Sequence, residues 1–123
     1  MTIREIINRI DVLKPNRHTQ SEKVMWLSNL DGVIKTEIID THEGAEGIVF
    51  NGYDDNTDLD TELLVPAPYD VIYLHYLEMQ MDYTNGEFVR YNNSKGLYNS
   101  AYSTFQRYYN RTHMPLGKKF KYF

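Results

Sequence analysis

A mainly α-helical fold, a small bundle of about four helices, is what this sequence predicts, and three observations carry the prediction. Capping signatures precede apolar stripes at helical spacing. Segments rich in Gly, Pro, Asn and Asp separate those stripes. The length, 123 residues, fits one compact domain with one core. The expected organisation is a single helical domain over residues 1–115, interrupted by a long acidic loop at 41–62, with an extended tail at 116–123.

The first helix is predicted near residues 2–13. Thr2 and Glu5 form a capping box, and Ile3, Ile6, Ile7 and Ile10 recur at i, i+3, i+4 and i+7. Lys14-Pro15 ends it. Thr19 and Glu22 repeat the capping signature before a stripe of Leu27, Leu30, Ile34 and Ile38, so a second helix is expected over 21–40, with Asp31 and Lys35 paired at i, i+4 on its outer face. The segment from Thr41 to Glu62 holds Gly44, Gly47, Gly52, Asn51 and Asn56 around the short apolar run Ile48-Val49-Phe50. It reads as a long loop with room for a short strand or hairpin.

Pro66 and Pro68 favour a helix start, and the chain then stays apolar or aromatic through Met81. A third helix is expected over 68–84, with Tyr69, Tyr73, Tyr76 and Tyr83 on one face and Leu74, Leu77 and Met81 on another. A helix apolar around so much of its circumference offers surface to a second chain, so the four tyrosines are candidates for a subunit interface. Gly86 should bend or break it. Asn92-Asn93-Ser94 then offers a cap for a fourth helix near 94–111, with the stripe Leu97, Ala101, Phe105 and Tyr108.

Composition excludes several function classes. The chain has no cysteine, so disulfides, thiolate metal sites and cysteine nucleophiles are out. Arg4, Glu5 and Arg9 interrupt the N-terminal isoleucines, and no signal-peptide core or membrane-length apolar run is seen, so a cytoplasmic, non-membrane protein is expected. The net charge of −4 conceals a segregation of sign. No Lys or Arg lies between Lys35 and Arg90, whereas 13 of the 17 acids do. From Phe88 onward the sign reverses: Arg90, Lys95, Arg107, Arg111, Lys118, Lys119 and Lys121 stand without any carboxylate side chain. Such asymmetry fits electrostatically matched surfaces, within one chain or between stacked subunits; a solvated acidic loop is the plainer alternative. Asp54, Asp55, Asp58, Asp60 and Glu62 are the candidate acidic interface.

No reaction chemistry assembles from the motifs. Asp54, Asn56, Asp58, Asp60 and Glu62 begin like a calcium loop, but Leu59 and Val65 occupy the sixth and twelfth places, where Gly and Glu belong. His18, His42, His75 and His113 are isolated, His75 being read as half-buried and the others as surface groups. Neither a nucleophile elbow nor a Gly-rich phosphate loop occurs. Eleven tyrosines admit a base-stacking reading beside the basic C-terminal third, which makes a small nucleic-acid-binding module the alternative function. Helical spacing fits amphipathic packing better. The tail residues Lys118, Lys119, Phe120, Lys121, Tyr122 and Phe123 combine charge with aromatic anchors, the composition of a segment that docks on a partner.

Two stretches, DVLKPNRHTQSEKVMWLSNLDGVIKTEIIDTHEG and LLVPAPYDVIYLHYLEMQMDYTNGEFVRYNNSKGLYNSAYSTFQRYYNRTHMP, cover most of the chain. They resemble the small head-tail connector or adaptor proteins of tailed phages and prophages of Gram-positive bacteria. The resemblance rests on packing and turn features; the segment from Ala45 to Thr61 and the tail after Pro115 lie outside it. It implies a helical protomer in a homo-oligomeric ring, usually twelve-fold, in the neck of the virion below the portal. The implied partners are the portal protein, tail-side neck proteins and packaged DNA in the lumen, held without sequence specificity. It implies no cofactor and no reaction.

Overall fold

The computed structural model describes residues 1–116. Among these, four α-helices follow one another: α1 (Ile3–Leu13), α2 (Gln20–Glu37), α3 (Val71–Thr84) and α4 (Phe88–Thr112), with short 3₁₀ turns at Ile39–Thr41 and Ala45–Gly47. The mainly helical class read from the sequence is the one observed. No strand or hairpin forms among the described residues; two isolated bridges, Thr2 with Glu62 and His42 with Pro115, are the only sheet-like pairings there.

Both capping boxes form. The Thr2 hydroxyl accepts from the Glu5 N–H while the Glu5 carboxylate accepts from the Thr2 N–H, and Thr19 with Glu22 does the same at α2. These caps satisfy amides that the first helical turn leaves unpaired. At 11 residues, α1 is too short to persist in water by itself. Burial of Ile3, Ile6, Ile7 and Ile10 holds it in place, each fully buried side chain contributing about 2 kcal/mol.

The expected stripe of α2 faces inward: Leu27, Leu30, Ile34 and Ile38 are fully buried. The expected outward pair does not exist. Asp31 is itself fully buried, and Lys35 turns instead to Asp40 just past the helix end.

α3 runs through the centre and touches each of the other three helices. Ile72, Tyr73, Leu74, Leu77, Met79 and Met81 are buried around its circumference, leaving only Val71 and Tyr83 among its large apolar residues exposed. The protomer therefore covers most of this helix from its own elements, and of the surface expected in part to meet a second chain only that at Val71 and Tyr83 stays open.

At Gly86, φ is +73°, a left-handed conformation that glycine adopts without Cβ strain, and the chain reverses there through Gly86 N–H to Tyr83 O and Glu87 N–H to Asp82 O. α4 begins at once, at Phe88, six residues before the expected start at 94. The Asn92-Asn93-Ser94 run lies inside the helix, where Ser94 is buried. α4 packs antiparallel on α3 through paired rings: Tyr83 with Tyr91, Tyr76 with Tyr98 and Tyr69 with Tyr108, at centroid distances of 5.5, 5.2 and 4.5 Å. Its inward face matches the expected stripe at Phe105, which is buried, and differs from it at Leu97, which is exposed, and at Tyr109, which is buried from outside the stripe.

Side-chain links fix the directions of the helices. Lys23 near the start of α2 reaches Asp11 near the end of α1; Tyr102 of α4 donates to Glu37 at the end of α2. The helices alternate up, down, up and down. One end of the bundle thus gathers the C-termini of α1 and α3 with the N-termini of α2 and α4.

Candidate interaction surfaces

The segment between α2 and α3 lacks long regular structure, so its position depends on side-chain bonds. Asp31 supplies the main one. Its Oδ2 accepts from Tyr53 OH at 2.5 Å and from Leu64 N–H at 3.2 Å, and its Oδ1 accepts from Tyr73 OH at 2.6 Å. Tyr73 OH in turn accepts from Val65 N–H at 2.8 Å. One carboxylate on α2 and one phenol on α3 therefore hold residues 53 and 64–65 against the bundle. Burial raises the Asp31 carboxyl above the ordinary carboxylate range, with the hydrogen bonds from Tyr53, Tyr73 and Leu64 working against that rise. Burial, and then the Asp31 charge, raise both phenols. Gly52, at φ +87°, turns the chain so that Tyr53 N–H also reaches Ser28 Oγ at 2.9 Å.

Tyr73 is therefore not available to a subunit interface. It is fully buried, and its hydroxyl is committed to Asp31. Tyr69 and Tyr76 are half-buried against α4, and Tyr83 alone of the four candidates is exposed.

The five acidic candidates lie along the surface of the same segment. Asp54 Oδ1 accepts from Asn56 N–H at 2.8 Å, and Asp58 Oδ1 from Asp60 N–H at 2.9 Å, each closing a local turn. Asp60 pairs with Arg4 and Glu62 with the N-terminal ammonium. Asp55 is exposed. The carboxylates are thus spent one at a time rather than converging, and no group of three or more metal-ligating side chains forms among the described residues. The tail candidates Lys118, Lys119, Phe120, Lys121, Tyr122 and Phe123 lie outside the described residues. Its approach is visible: Glu43 N–H donates to Met114 O at 2.9 Å, so the chain leaves α4 beside Glu43.

Two further buried polar centres escaped the sequence reading. Lys14 at the end of α1 pairs with Asp82 of α3, which is 1% exposed, and Ser94 Oγ of α4 donates to the other Asp82 oxygen at 2.7 Å. His42, expected at the surface, is buried. Its Nδ1 donates to Ile38 O at 2.5 Å and its Nε2 lies 2.6 Å from Asn110 Oδ1. No local pattern announces either, because the partners lie 68 residues apart.

The basic side chains of α4 remain outside. Arg90, Lys95, Arg107 and Arg111 are all exposed, and of these only Arg90 has a carboxylate partner among the described residues, Glu87 at 3.2 Å. The helix's tyrosines face inward; burial, followed by Tyr76 and Glu37, pushes the Tyr98 phenol up to about 12. No pocket opens among the described residues, and no helix there is long and apolar enough to cross a membrane. No protein family matches the chain, and neither a curated protein nor a solved structure matches it.

Proposed function

We propose that this chain is a structural protein of the head-tail interface of a tailed phage, a connector or adaptor that assembles with copies of itself and with portal and tail-side proteins around the DNA path. The phage setting rests on the resemblance of residues 11–44 and 63–115. The class, a protein acting through its surfaces, has separate support. Three of its buried ionisable groups, Asp31, Asp82 and His42, are consumed by partners inside the bundle. The observation that carries the reading is that the charge segregation persists in space. Exposed basic side chains along α4 and an exposed acidic segment at 54–62 belong to one protomer, which suits contacts between subunits.

The alternative, a nucleic-acid-binding module, draws support from Arg107 and Arg111, one helical turn apart and without carboxylate partners among the described residues. It loses its stacking platform, because Tyr98, Tyr102, Tyr108 and Tyr109 are at least half-buried against the bundle. The test is co-assembly. Purified chain mixed with the portal protein encoded beside it should give a ring-shaped complex by native mass spectrometry and negative-stain microscopy. No complex with portal, together with steeply salt-dependent binding to a DNA fragment, would replace this reading with the alternative.

A further inference from the structure

At the end of the bundle where α1 and α3 finish and α4 begins, five large apolar side chains stand in solvent. Val12, Leu13, Tyr83, Phe88 and Val89 are each between 61 and 81% exposed. They are not on a fraying end. Lys14 next to Leu13 pairs with Asp82 next to Tyr83, and Asp82 also accepts from Ser94 in the second turn of α4. Tyr83 packs on Tyr91. The frame beneath the apolar groups is thus locked by an ion pair and a hydrogen bond on the buried Asp82 carboxylate, so a partner would meet a preformed surface and lose little in ordering it.

The charges at this end narrow the partner. Its acids are already engaged locally: Asp11 with Lys23, Glu87 with Arg90, Asp82 with Lys14, and Glu22 with the Thr19 cap and the His18 ring. Arg9, one turn before Val12, then Arg17 and Lys95 have no carboxylate partner among the described residues; Lys95 sits over the Tyr91 ring at 5.9 Å. An apolar centre with a surplus of positive charge around it fits an acidic surface that also offers apolar groups.

The chain carries such a surface at the other end of α1. Arg4 N–H donates to Leu59 O and Ile3 N–H to Thr61 O, which seats the acidic segment at the helix N-terminus, whereas Val12 and Leu13 lie at its C-terminus. Within that segment Glu46 and Asp55 have no cation partner among the described residues, and Val49 is 76% exposed. One protomer cannot bring the two faces together, since α1 lies between them. A copy displaced along the helix can. Pairing two like ends would instead set the unmatched arginines against each other, at an electrostatic cost.

We infer that the end of the bundle carrying Val12, Leu13, Tyr83, Phe88 and Val89 is a docking face for the acidic 46–62 segment of a second copy, in a head-to-tail contact. This rests on the self-assembly part of the function proposed above and names its two faces. A head-to-tail contact is heterologous, so it propagates into a ring if the rotation closes.

The experiment uses two surface variants of the full chain, analysed by sedimentation velocity at low salt after circular dichroism has shown both to be folded. The face variant is Phe88→Ser with Val89→Ser, and the segment variant is Glu46→Lys with Asp55→Lys. Wild type should associate with concentration, and each variant alone should associate at least about tenfold more weakly. Mixed together, the two variants should form a dimer and nothing larger, because each retains the face the other lacks. A wild type that stays monomeric at millimolar concentration overturns the inference, as does a face variant that associates like wild type, or a mixture no better than its components. If Arg9→Glu with Arg17→Glu loses binding to a DNA duplex while self-association is unchanged, the face serves nucleic acid and the inference is again overturned. Portal binding is read separately: portal complexes formed without this contact leave the function standing, and their absence removes it whatever the sedimentation result.

Discussion

The segment joining α2 to α3 and the end of the bundle around Gly86 invert the usual relation between regular structure and coverage. The first contains no α-helix, yet its turns are tied to the protein by Tyr53, Leu64 and Val65 bonding into the Asp31–Tyr73 pair. The second is built entirely of helix ends, yet leaves five large apolar side chains in solvent above the Lys14–Asp82 pair. Both regions are anchored on a buried carboxylate. They differ in what the carboxylate holds: Asp31 gathers neutral donors, two from an irregular stretch and one from α3, whereas Asp82 neutralises one cation and fastens three helices. Order in this protein therefore comes from where a buried acceptor finds its donors, and helix content alone is a poor guide to which surface is finished.

The comparison breaks most readily at Asp31. Replacing it with Ala strips the acceptor from Tyr53 OH, Tyr73 OH and Leu64 N–H, and leaves the α3 donor, Tyr73 OH, fully buried and the other two part-buried, which should cost about 3 kcal/mol in urea unfolding. Asp31→Asn keeps the volume and one carbonyl oxygen and should cost less. The loss should be accompanied by faster amide exchange at residues 53 and 64–65. Equal stability of Asp31→Ala and wild type would mean that the segment is held by something else.

Lys14→Ala tests the other carboxylate. It leaves Asp82 buried without its cation, but Lys14 keeps 22% of its side chain in solvent, so water can reach the site and the loss should be smaller, about 2 kcal/mol. Adding Asp82→Asn should recover part of it, because the amide carbonyl can still accept from Ser94 Oγ. A loss larger than that of Asp31→Ala would reverse the ranking of the two regions.

What the sequence disclosed and what it hid follow the same division. Local rules worked where the interaction is local: Thr2 with Glu5 and Thr19 with Glu22 cap the helices they were read to cap, and the isoleucine stripe of α1 is buried. They failed where a distant group competes. Asp31 and Lys35 have the spacing of a helical ion pair, but Tyr53, Leu64 and Tyr73 are 22, 33 and 42 residues away from Asp31 and claim it. Asn92-Asn93-Ser94 has the composition of a cap, yet Ser94 is spent on Asp82, and a left-handed Gly86 lets the helix begin earlier. The five exposed side chains of the docking face are scattered over residues 12–89 and share no motif, so only the fold brings them to one end.

Alkaline titration probes the tyrosines that line α3, α4 and the Asp31 site together. The Tyr98 phenol is raised from 10.0 to about 12, by burial first and then by Tyr76 and Glu37. Tyr102 is raised by burial and its bond to Glu37, and Tyr53 and Tyr73 by burial and Asp31. A folded pKa above the unfolded one means that the stabilisation is fully present below the unfolded value. It drains away as pH rises from there through the folded value, because the unfolded chain ionises first. The urea midpoint should therefore hold steady at neutral pH and fall across the window between 10.0 and about 12. A midpoint unchanged through that window would show that these phenols are not held neutral by the fold.

The smallest effect on stability is expected at the exposed end itself, and its smallness is the point. Val12 and Val89 are 81 and 78% exposed, so truncating either removes little area that folding had withdrawn from water. Val12→Ser and Val89→Ser should each shift unfolding by no more than about 0.5 kcal/mol, measured on dilute protein where any self-association is suppressed. Both terms in these variants are small: serine and valine are close in helix propensity, and losing a solvated apolar group favours neither state. If either substitution instead costs as much as Lys14→Ala in dilute solution, the side chain is part of the core. The contrast between an anchored segment and an uncovered helical end would then fail at the residue on which it most depends.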